Sequence, residues 1–332
     1  MCPHLTVRLS RFYAFTQHRI HASVVTSSYL RGYIRIDSVQ AVKKTTLDNT
    51  DVQISRLGFG AMNLSLQGRP SEQEGIALLH RVLELGYTFV DTADAYCINE
   101  GEKHHNERLI ASALDGYAGD IREIVIATKG GCMRPEAGVW TRDGSSEHIR
   151  ETIRESYEAL GGRPIHLWQH HAPDPEVPIE ESLEAAREMQ NEGLIDHIGV
   201  SNYTVDQLER AREIVDVVSI QNRYNPWHRR PESGMLSYCE EAGITFIPYS
   251  PLGGTSRAKS LSEYGGIADL ADTRGVSPQR LVLAWLLAKS PVIVPIPGAT
   301  RMESVEDSAQ ALELELNAGE ITEIDRATAA VL

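Results

Sequence analysis

The order of apolar and amphipathic stretches in this chain predicts a single-domain α/β protein, a (β/α)8 TIM barrel. Three observations carry the prediction. Eight short runs rich in apolar and β-branched residues alternate with stretches of helical periodicity between residues 45 and 325, and strict alternation implies parallel strands. Eight such units over about 280 residues fit the size of a closed barrel. No Gly-x-Gly-x-x-Gly follows any of the strands, which removes the usual reason to prefer a doubly wound sheet.

The elements follow in order. Residues 54–62 read as a short buried strand ending in small residues, as if something must approach its backbone closely. Ser71, with Glu74 three residues on, forms a capping box. The helix it opens shows an apolar face of Ile76, Leu79, Val82 and Leu83. Gly86 stops that helix, and residues 85–90 form the second strand, ending at Asp91. Residues 106–114 are helical, and 123–128 form a strand running into Lys129-Gly130-Gly131. A long loop through Trp140 precedes a helix over 145–160. The strand 164–169 ends in His170-His171, and the helix 178–192 is closed by Gly193. The strand 197–200 ends in Ser201-Asn202, and a helix over 205–214 follows. The strand 217–220 ends in Gln221-Asn222, before a largely helical stretch over 231–242. The strand 244–248 ends in Tyr249-Ser250, and a helix over 277–289 starts with Pro at its first position. The eighth strand, 291–295, ends in Ile296-Pro297-Gly298, and helices over 302–312 and 318–329 complete the pattern.

Polar residues recur at one place, the C-terminal ends of these strands: Asp91, Lys129, His171, Ser201, Asn202, Gln221, Tyr249, Ser250 and, past the eighth, Arg301. A parallel barrel gathers all these ends on one face, the face where barrel enzymes do their chemistry. The chemistry they suit is hydride transfer to a carbonyl. Negative charge grows on the carbonyl oxygen, and a proton must be supplied. Tyr96 can supply it, with Lys129 lowering its ordinary pKa of about 10 and Asp91 holding Lys129 by a charge-assisted bond. His171 can donate to the same oxygen and orient it.

With these residues in view, the chain resembles the aldo-keto reductases. The matching motifs are Leu57-Gly58-Phe59-Gly60, Asp91-Thr92-Ala93 with Tyr96, Asn106-Glu107, Ala127-Thr128-Lys129, Gln169-His170-His171 with Pro173-Asp174, and Gly199-Val200-Ser201-Asn202. Gln221-Asn222 with Tyr224-Asn225, Tyr249-Ser250-Pro251-Leu252 and Ile296-Pro297-Gly298 complete the set. The resemblance implies a catalytic tetrad of Asp91, Tyr96, Lys129 and His171. It implies NADP(H), or NAD, lying across the barrel mouth without a Rossmann fold. On that likeness Ser201, Asn202 and Gln221 hold the nicotinamide amide and Tyr249 stacks on its ring. Ser250, Leu252 and Gly253 line the pyrophosphate path, and Gly298, Thr300 and Arg301 approach the adenosine phosphate. Lys129-Gly130-Gly131 with Arg134-Pro135 and Trp140, and His171-Ala172-Pro173-Asp174-Pro175 with Val177-Pro178, resemble the branch that contains pyridoxal reductases (pyridoxine 4-dehydrogenases).

The chain departs from the family pattern in places. His166-Leu167-Trp168-Gln169 stands where Asp-Leu-Tyr-Gln is frequent. Strand alternation puts His166, Trp168 and His170 on the face opposite Leu167, Gln169 and His171, so His166 is expected to face outward with no effect on chemistry. Ser308 replaces a late Asn, and Ser304 a frequent Lys or Arg. Arg301 is then the main 2′-phosphate contact, and NADP is favoured over NAD. The pair His104-His105 has no third ligand at a suitable spacing; it is read as solvated loop, and no metal is expected.

Composition bounds the partners. The 332 residues are 42% hydrophobic and 23% charged, with a net charge of -14. That charge opposes nucleic acid and anionic membranes as partners. No apolar run approaches the ~18 residues of a membrane span. Cys2, Cys97, Cys132 and Cys239 are scattered without a Cys-x-x-Cys, as in a reducing compartment. Residues 1–40 form a basic N-terminal extension. It carries Arg8, Arg11, Arg19, Arg31 and Arg35 against the single acid Asp37. Three readings stand for it: an organellar transit peptide, a disordered tail, or an upstream extension of the gene model. The expected setting is cytoplasmic unless residues 1–40 target the chain. The expected enzyme is a monomer or homo-oligomer acting on a small-molecule carbonyl, with the loops 131–144 and 225–233 shaping its pocket. A competing reading is a cofactor-sensing regulatory subunit with little turnover; a third is a barrel hydrolase or lyase without nicotinamide.

Overall fold

The computed structural model describes residues 42–329; the N-terminal extension lies outside them. The chain enters through a hairpin, β1 (Lys44–Thr46) and β2 (Gln53–Ser55), paired antiparallel. There follow β3 (Phe59–Gly60), α1 (Glu72–Glu84), β4 (Phe89–Asp91), α2 (His105–Gly116) and β5 (Val125–Gly130). A small flap, β6 (Cys132–Met133) paired with β7 (Thr141–Arg142), interrupts the alternation. Then come α3 (Ser146–Ala159), β8 (Ile165–His170), α4 (Ile179–Asn191), β9 (Ile195–Ser201), α5 (Val205–Arg212) and β10 (Val217–Arg223). The chain finishes with α6 (Met235–Ala242), β11 (Thr245–Tyr249), α7 (Thr255–Lys259), α8 (Gly265–Arg274), α9 (Pro278–Lys289), α10 (Met302–Ala309) and α11 (Ala318–Ala329).

The seven strands of the main sheet are parallel and lie in the order β3-β4-β5-β8-β9-β10-β11. The eighth position is filled by residues 291–297. Phe246 donates to the Val292 carbonyl at 2.9 Å and accepts from the Val294 amide at 2.9 Å, on the β11 side. On the β3 side Gly58 and Gly60 donate to Pro295 and Pro297 at 2.9 and 3.1 Å. The barrel therefore closes, as the alternation predicts. The expected strand 291–295 survives only as a parallel bridge, Phe246 to Ile293. Pro291, Pro295 and Pro297 have no amide to give, so a full ladder cannot form there. Gly60 is required by this closure, since a Cβ on it would sit 2.7 Å from the Ile296 carbonyl oxygen.

Strand alternation sorts the core into two. An inner cluster fills the barrel with Phe89, Val125, Ala127, Leu167, Val218, Ile247, Val294 and Ile296. An outer cluster, with Ile126, Trp168, Ile198, Val200, Ile220 and Phe246, packs the sheet against its helices. The parity carries on to the polar ends: 125, 127 and 129 share a face, as do 167, 169 and 171. His166 accepts outside the barrel from the Ile126 amide at 3.3 Å, and outward-facing His170 meets Tyr203 at 2.7 Å.

Two further expectations change, and one unassigned region gains elements. The strand read over 54–62 is two elements, the end of the hairpin and β3, and the hairpin sends Leu47 and Ile54 into the inner cluster. The stretch 231–242 begins as a 3-10 turn, Arg230–Glu232, before α6. Helices α7 and α8 fill a region with no assigned element. The signals are weak there because α7 has only five residues and α8 opens on Gly265-Gly266.

Leu47 is fully buried at the N-terminal mouth of the barrel. We expect Leu47→Ala to cost about 2–5 kcal/mol, read as a lower urea midpoint with an unchanged slope. A cost under about 0.5 kcal/mol, the usual surface value, would show that the hairpin is not part of the folding core.

Candidate active site

Strand parity turns Asp91, Gln169, Lys129, Gln221 and His171 toward the C-terminal mouth. Lys129 is completely buried, and its ammonium has three partners: Asp91 Oδ1 at 2.6 Å, the Thr92 carbonyl at 2.7 Å and Tyr96 Oη at 3.1 Å. The other Asp91 oxygen accepts from Gln221 Nε2 at 2.8 Å and Gln169 Nε2 at 3.3 Å. His171 lies edge-on to Tyr96, ring centroids 5.8 Å apart, and to Trp140 at 6.0 Å. These side chains meet at a cavity of about 740 Å³ whose wall includes Asp91, Tyr96 and His171. A volume of this order takes a cofactor-sized ligand.

The electrostatics correct one expectation. Burial works against the Lys129 ammonium, but Asp91 and Tyr96 outweigh it and hold it above its ordinary value. Tyr96 does not end up more acidic than free tyrosine. Burial pushes it up further than Lys129 pulls it down, to about 12. Tyr96 therefore keeps its phenolic proton at neutral pH. Burial, with the Lys129 charge, holds His171 well below the ordinary histidine value, so its ring is neutral.

Of the residues expected at a cofactor, Ser201, Asn202, Gln221, Tyr249, Ser250, Leu252 and Gly298 all line this cavity. Ser201 Oγ donates to the Gln221 carbonyl at 2.8 Å, Asn202 Nδ2 to the His171 carbonyl at 2.9 Å, and Tyr249 Oη to Asn202 Oδ1 at 2.9 Å. Asn202 and Ser250, at φ of 63° and 49°, occupy the left-handed region, which is rarely populated by residues other than glycine and marks turned strand ends. Gly253 is set back from the lining, in a turn where its amide donates to the Ser250 carbonyl at 2.9 Å. Thr300 and Arg301 lie beyond the lining, exposed at the start of α10.

Other lining residues had no such expectation. Met62 and Asn63 come from the loop after β3, Cys132 and Arg142 from the flap, and Asp174 and Glu176 from the loop after β8. Trp140, at the flap, has Arg134 stacked 4.6 Å from its ring centroid. The loop 131–144 thus contributes to the pocket as expected. The tract 225–233 does not; its residues line a separate, smaller cavity. Gln169 is the missed partner of Asp91, and the alternation that inverts His166 was its signal.

The histidine pair is also not solvated loop. His104 is buried between Glu107 at 2.5 Å and Glu155 at 3.1 Å, and His105 Nδ1 lies 2.8 Å from Ser65 Oγ. No group of three metal-ligating side chains occurs among the described residues. This network backs the loop that carries Tyr96. Glu107 accepts from Thr128 at 2.5 Å, Asn106 accepts from Thr92 at 2.6 Å, and Asp94 accepts from the Ala95 amide at 2.6 Å and from Thr152 at 2.5 Å.

Residues 56–329 match the model of the aldo/keto reductase family. An uncharacterized oxidoreductase of Schizosaccharomyces pombe is 35% identical over 292 residues, 87% of this chain and 91% of its own length. Pyridoxine 4-dehydrogenase of Escherichia coli is 32% identical over 283 residues, 82% of this chain and 94% of its own. Among solved structures, the holo form of an aldo-keto reductase from Bacillus halodurans superposes with a TM-score of 0.71 at 28% identity, covering 86% of this chain and 96% of that one.

Asp94 yields a pH prediction. Burial, reinforced by Glu107, raises its carboxyl to about 7, against about 3.9 in an unfolded chain. Between these values the native state holds a proton that the unfolded state has lost. Stability from this group is therefore full below about pH 4 and falls as pH rises to about 7, by a few kcal/mol at most. Asp94→Asn should flatten the fall. Urea midpoints at pH 5 and pH 8 that drop as much in the variant as in the parent would assign the effect elsewhere.

Proposed function

The chain belongs to the aldo/keto reductase family of oxidoreductases, and from that premise we propose that it reduces an aldehyde or ketone to an alcohol with NADPH. The carrying observation is the Lys129 ammonium bonded at once to Asp91 and Tyr96 Oη, at the wall of a cavity that also presents His171. Ser201, Asn202 and Gln221 would hold the nicotinamide carboxamide. Gln221 gives its amide donor to Asp91, which leaves its carbonyl oxygen to accept from that carboxamide. The Tyr249 hydroxyl is spent on Asn202, so the ring is the part that remains for stacking. Bound there, the reduced nicotinamide supplies the hydride.

The chain's own residues manage the proton. His171, neutral, donates a hydrogen bond to the substrate oxygen and fixes its position. Tyr96, protonated at neutral pH, gives its proton to that oxygen as charge develops on it. The resulting phenolate lies against the Lys129 ammonium, which is oriented by Asp91 and the Thr92 carbonyl and needs no reorganisation at the moment of transfer. The flap with Trp140 and the side chains of Met62, Arg142 and Asp174 border the space left for substrate. The pyridoxine 4-dehydrogenase relative makes an aromatic aldehyde such as pyridoxal the first substrate to try.

Two outcomes test the reading. Tyr96→Phe should lower kcat by about 10²–10⁴-fold while NADPH binding, followed by fluorescence titration, stays within about twofold. Turnover at the parental level would remove Tyr96 as the acid. Arg301→Ala should raise KM for NADPH by about tenfold, one lost charge-assisted contact, and leave KM for NADH nearly unchanged. Equal effects on both cofactors would place the 2′-phosphate elsewhere.

A further inference from the structure

The smaller cavity, of about 320 Å³, shares Asn202 and Tyr249 with the large one. Its other side is basic. Arg223 ends β10, and His228 and Arg230 follow in the stretch before α6; all three line it, as do Thr204 and Ser233, and both arginines are exposed. Neighbouring arginines are engaged: Arg210 with Glu180, Arg212 with the Tyr238 hydroxyl, Arg229 with Glu232 and Asp325. Among the described residues the Arg223 and Arg230 guanidiniums donate to no acceptor. All three groups line the same concavity; burial first, and then the charges of Arg223 and Arg230, hold His228 below its ordinary value. Two exposed guanidiniums without a carboxylate partner among the described residues thus border one concavity, in a chain of net charge -14. The planar donor fork of arginine suits an oxyanion that accepts two hydrogen bonds.

We propose that this cavity binds the phosphate or carboxylate group of a small metabolite, at a site separate from the cofactor, and that its occupancy alters cofactor binding through Tyr249 and Asn202. The site is distinct from the region proposed for the cofactor's own phosphates, which runs through Ser250, Leu252 and Gly253 toward Arg301, on segments after β11 and after residue 297. The concavity holds a small molecule rather than an extended polymer. The binding claim stands on the cavity alone; the coupling claim rests on the cofactor reading above.

The test is isothermal titration calorimetry of the full chain at constant ionic strength with inorganic phosphate, glycerol 3-phosphate and citrate. The variants are Arg223→Ala/Arg230→Ala, Arg223→Lys/Arg230→Lys and Arg301→Ala. At least one anion should bind the parent with a dissociation constant of about 1 mM or tighter. It should bind the double alanine variant at least about tenfold more weakly, with partial recovery in the double lysine variant and no loss in Arg301→Ala. Preference for citrate over the phosphates identifies a carboxylate ligand, and the reverse a phosphate. Silence with all three anions in the parent overturns the site. So does binding that survives both double variants or disappears in Arg301→Ala alone. The lysine pair keeps the charge, so it guards against a fold defect in the alanine pair. NADPH titration with and without the bound anion then reads the coupling. A shift in the parent that is absent in the double alanine variant supports it, because simple competition at the cofactor site would persist there. Equal behaviour in both overturns the coupling and leaves the anion site standing. Failure of NADPH to bind at all would fault the reductase reading without touching the anion result.

Discussion

An ammonium and a carboxylate buried together at the mouth of the barrel set the terms for the rest of this molecule. Removing two such charges from water costs several kcal/mol for each. The attraction between them offsets that cost only if the remaining donors and acceptors are satisfied. Lys129 has three donors and three acceptors in place, Asp91, Thr92 and Tyr96. Asp91 in turn takes Gln169 and Gln221 on its second oxygen. Strands β4, β5, β8 and β10 each contribute one member, so the network can exist only when the register of these strands is right. Loss of Asp91 or Lys129 alone would leave the other's charge buried without its counter-ion, which is strongly destabilising.

A second layer holds the loop between Asp91 and Tyr96. Thr92 reaches Asn106, Asn106 reaches the Ala61 carbonyl and Ser65, Thr128 reaches Glu107, and His104 joins Glu107 to Glu155. Glu107 and Asp94 are buried near each other. The protein accommodates them by different means: Glu107 through His104 and Thr128, and Asp94 by retaining its proton to about pH 7. The proposed proton donor, Tyr96, sits on this braced loop. Its high pKa follows from the same burial that makes the Lys129 charge effective, since a low dielectric strengthens the ion pair and disfavours the phenolate together.

Barrel closure shows a similar compromise. The segment carrying Ile296 and Pro297 must line the cavity and close the sheet at once. Prolines hold it extended but deny it a regular ladder, and Gly58, just before β3, and Gly60 on β3 supply the amides instead. The result is a barrel of seven regular strands and one irregular one, with the irregular segment beside the region proposed for the cofactor's phosphates.

Local pattern in the sequence determined the alternation of elements, the parallel barrel, the capping box at Ser71 and Glu74, and the inward parity of Lys129, Gln169 and His171. Each depends on periods of 2 or 3.6 residues within one segment, and those survive without any knowledge of partners. The resemblance of motifs marked Asp91, Tyr96, Lys129 and His171 as one set, and the fold brings them together. Tertiary structure alone decided the rest. It moved Leu47 and Ile54 into the barrel, buried His104 between two glutamates, gave Gln169 to Asp91, kept the tract 225–233 out of the main cavity and left Arg223 and Arg230 on the wall of the smaller one. It also set Tyr96 above rather than below its free pKa. These outcomes come from pairings between residues far apart in the chain and from the water those pairings exclude. Neither the distance between two side chains nor the dielectric around them is written in residue order.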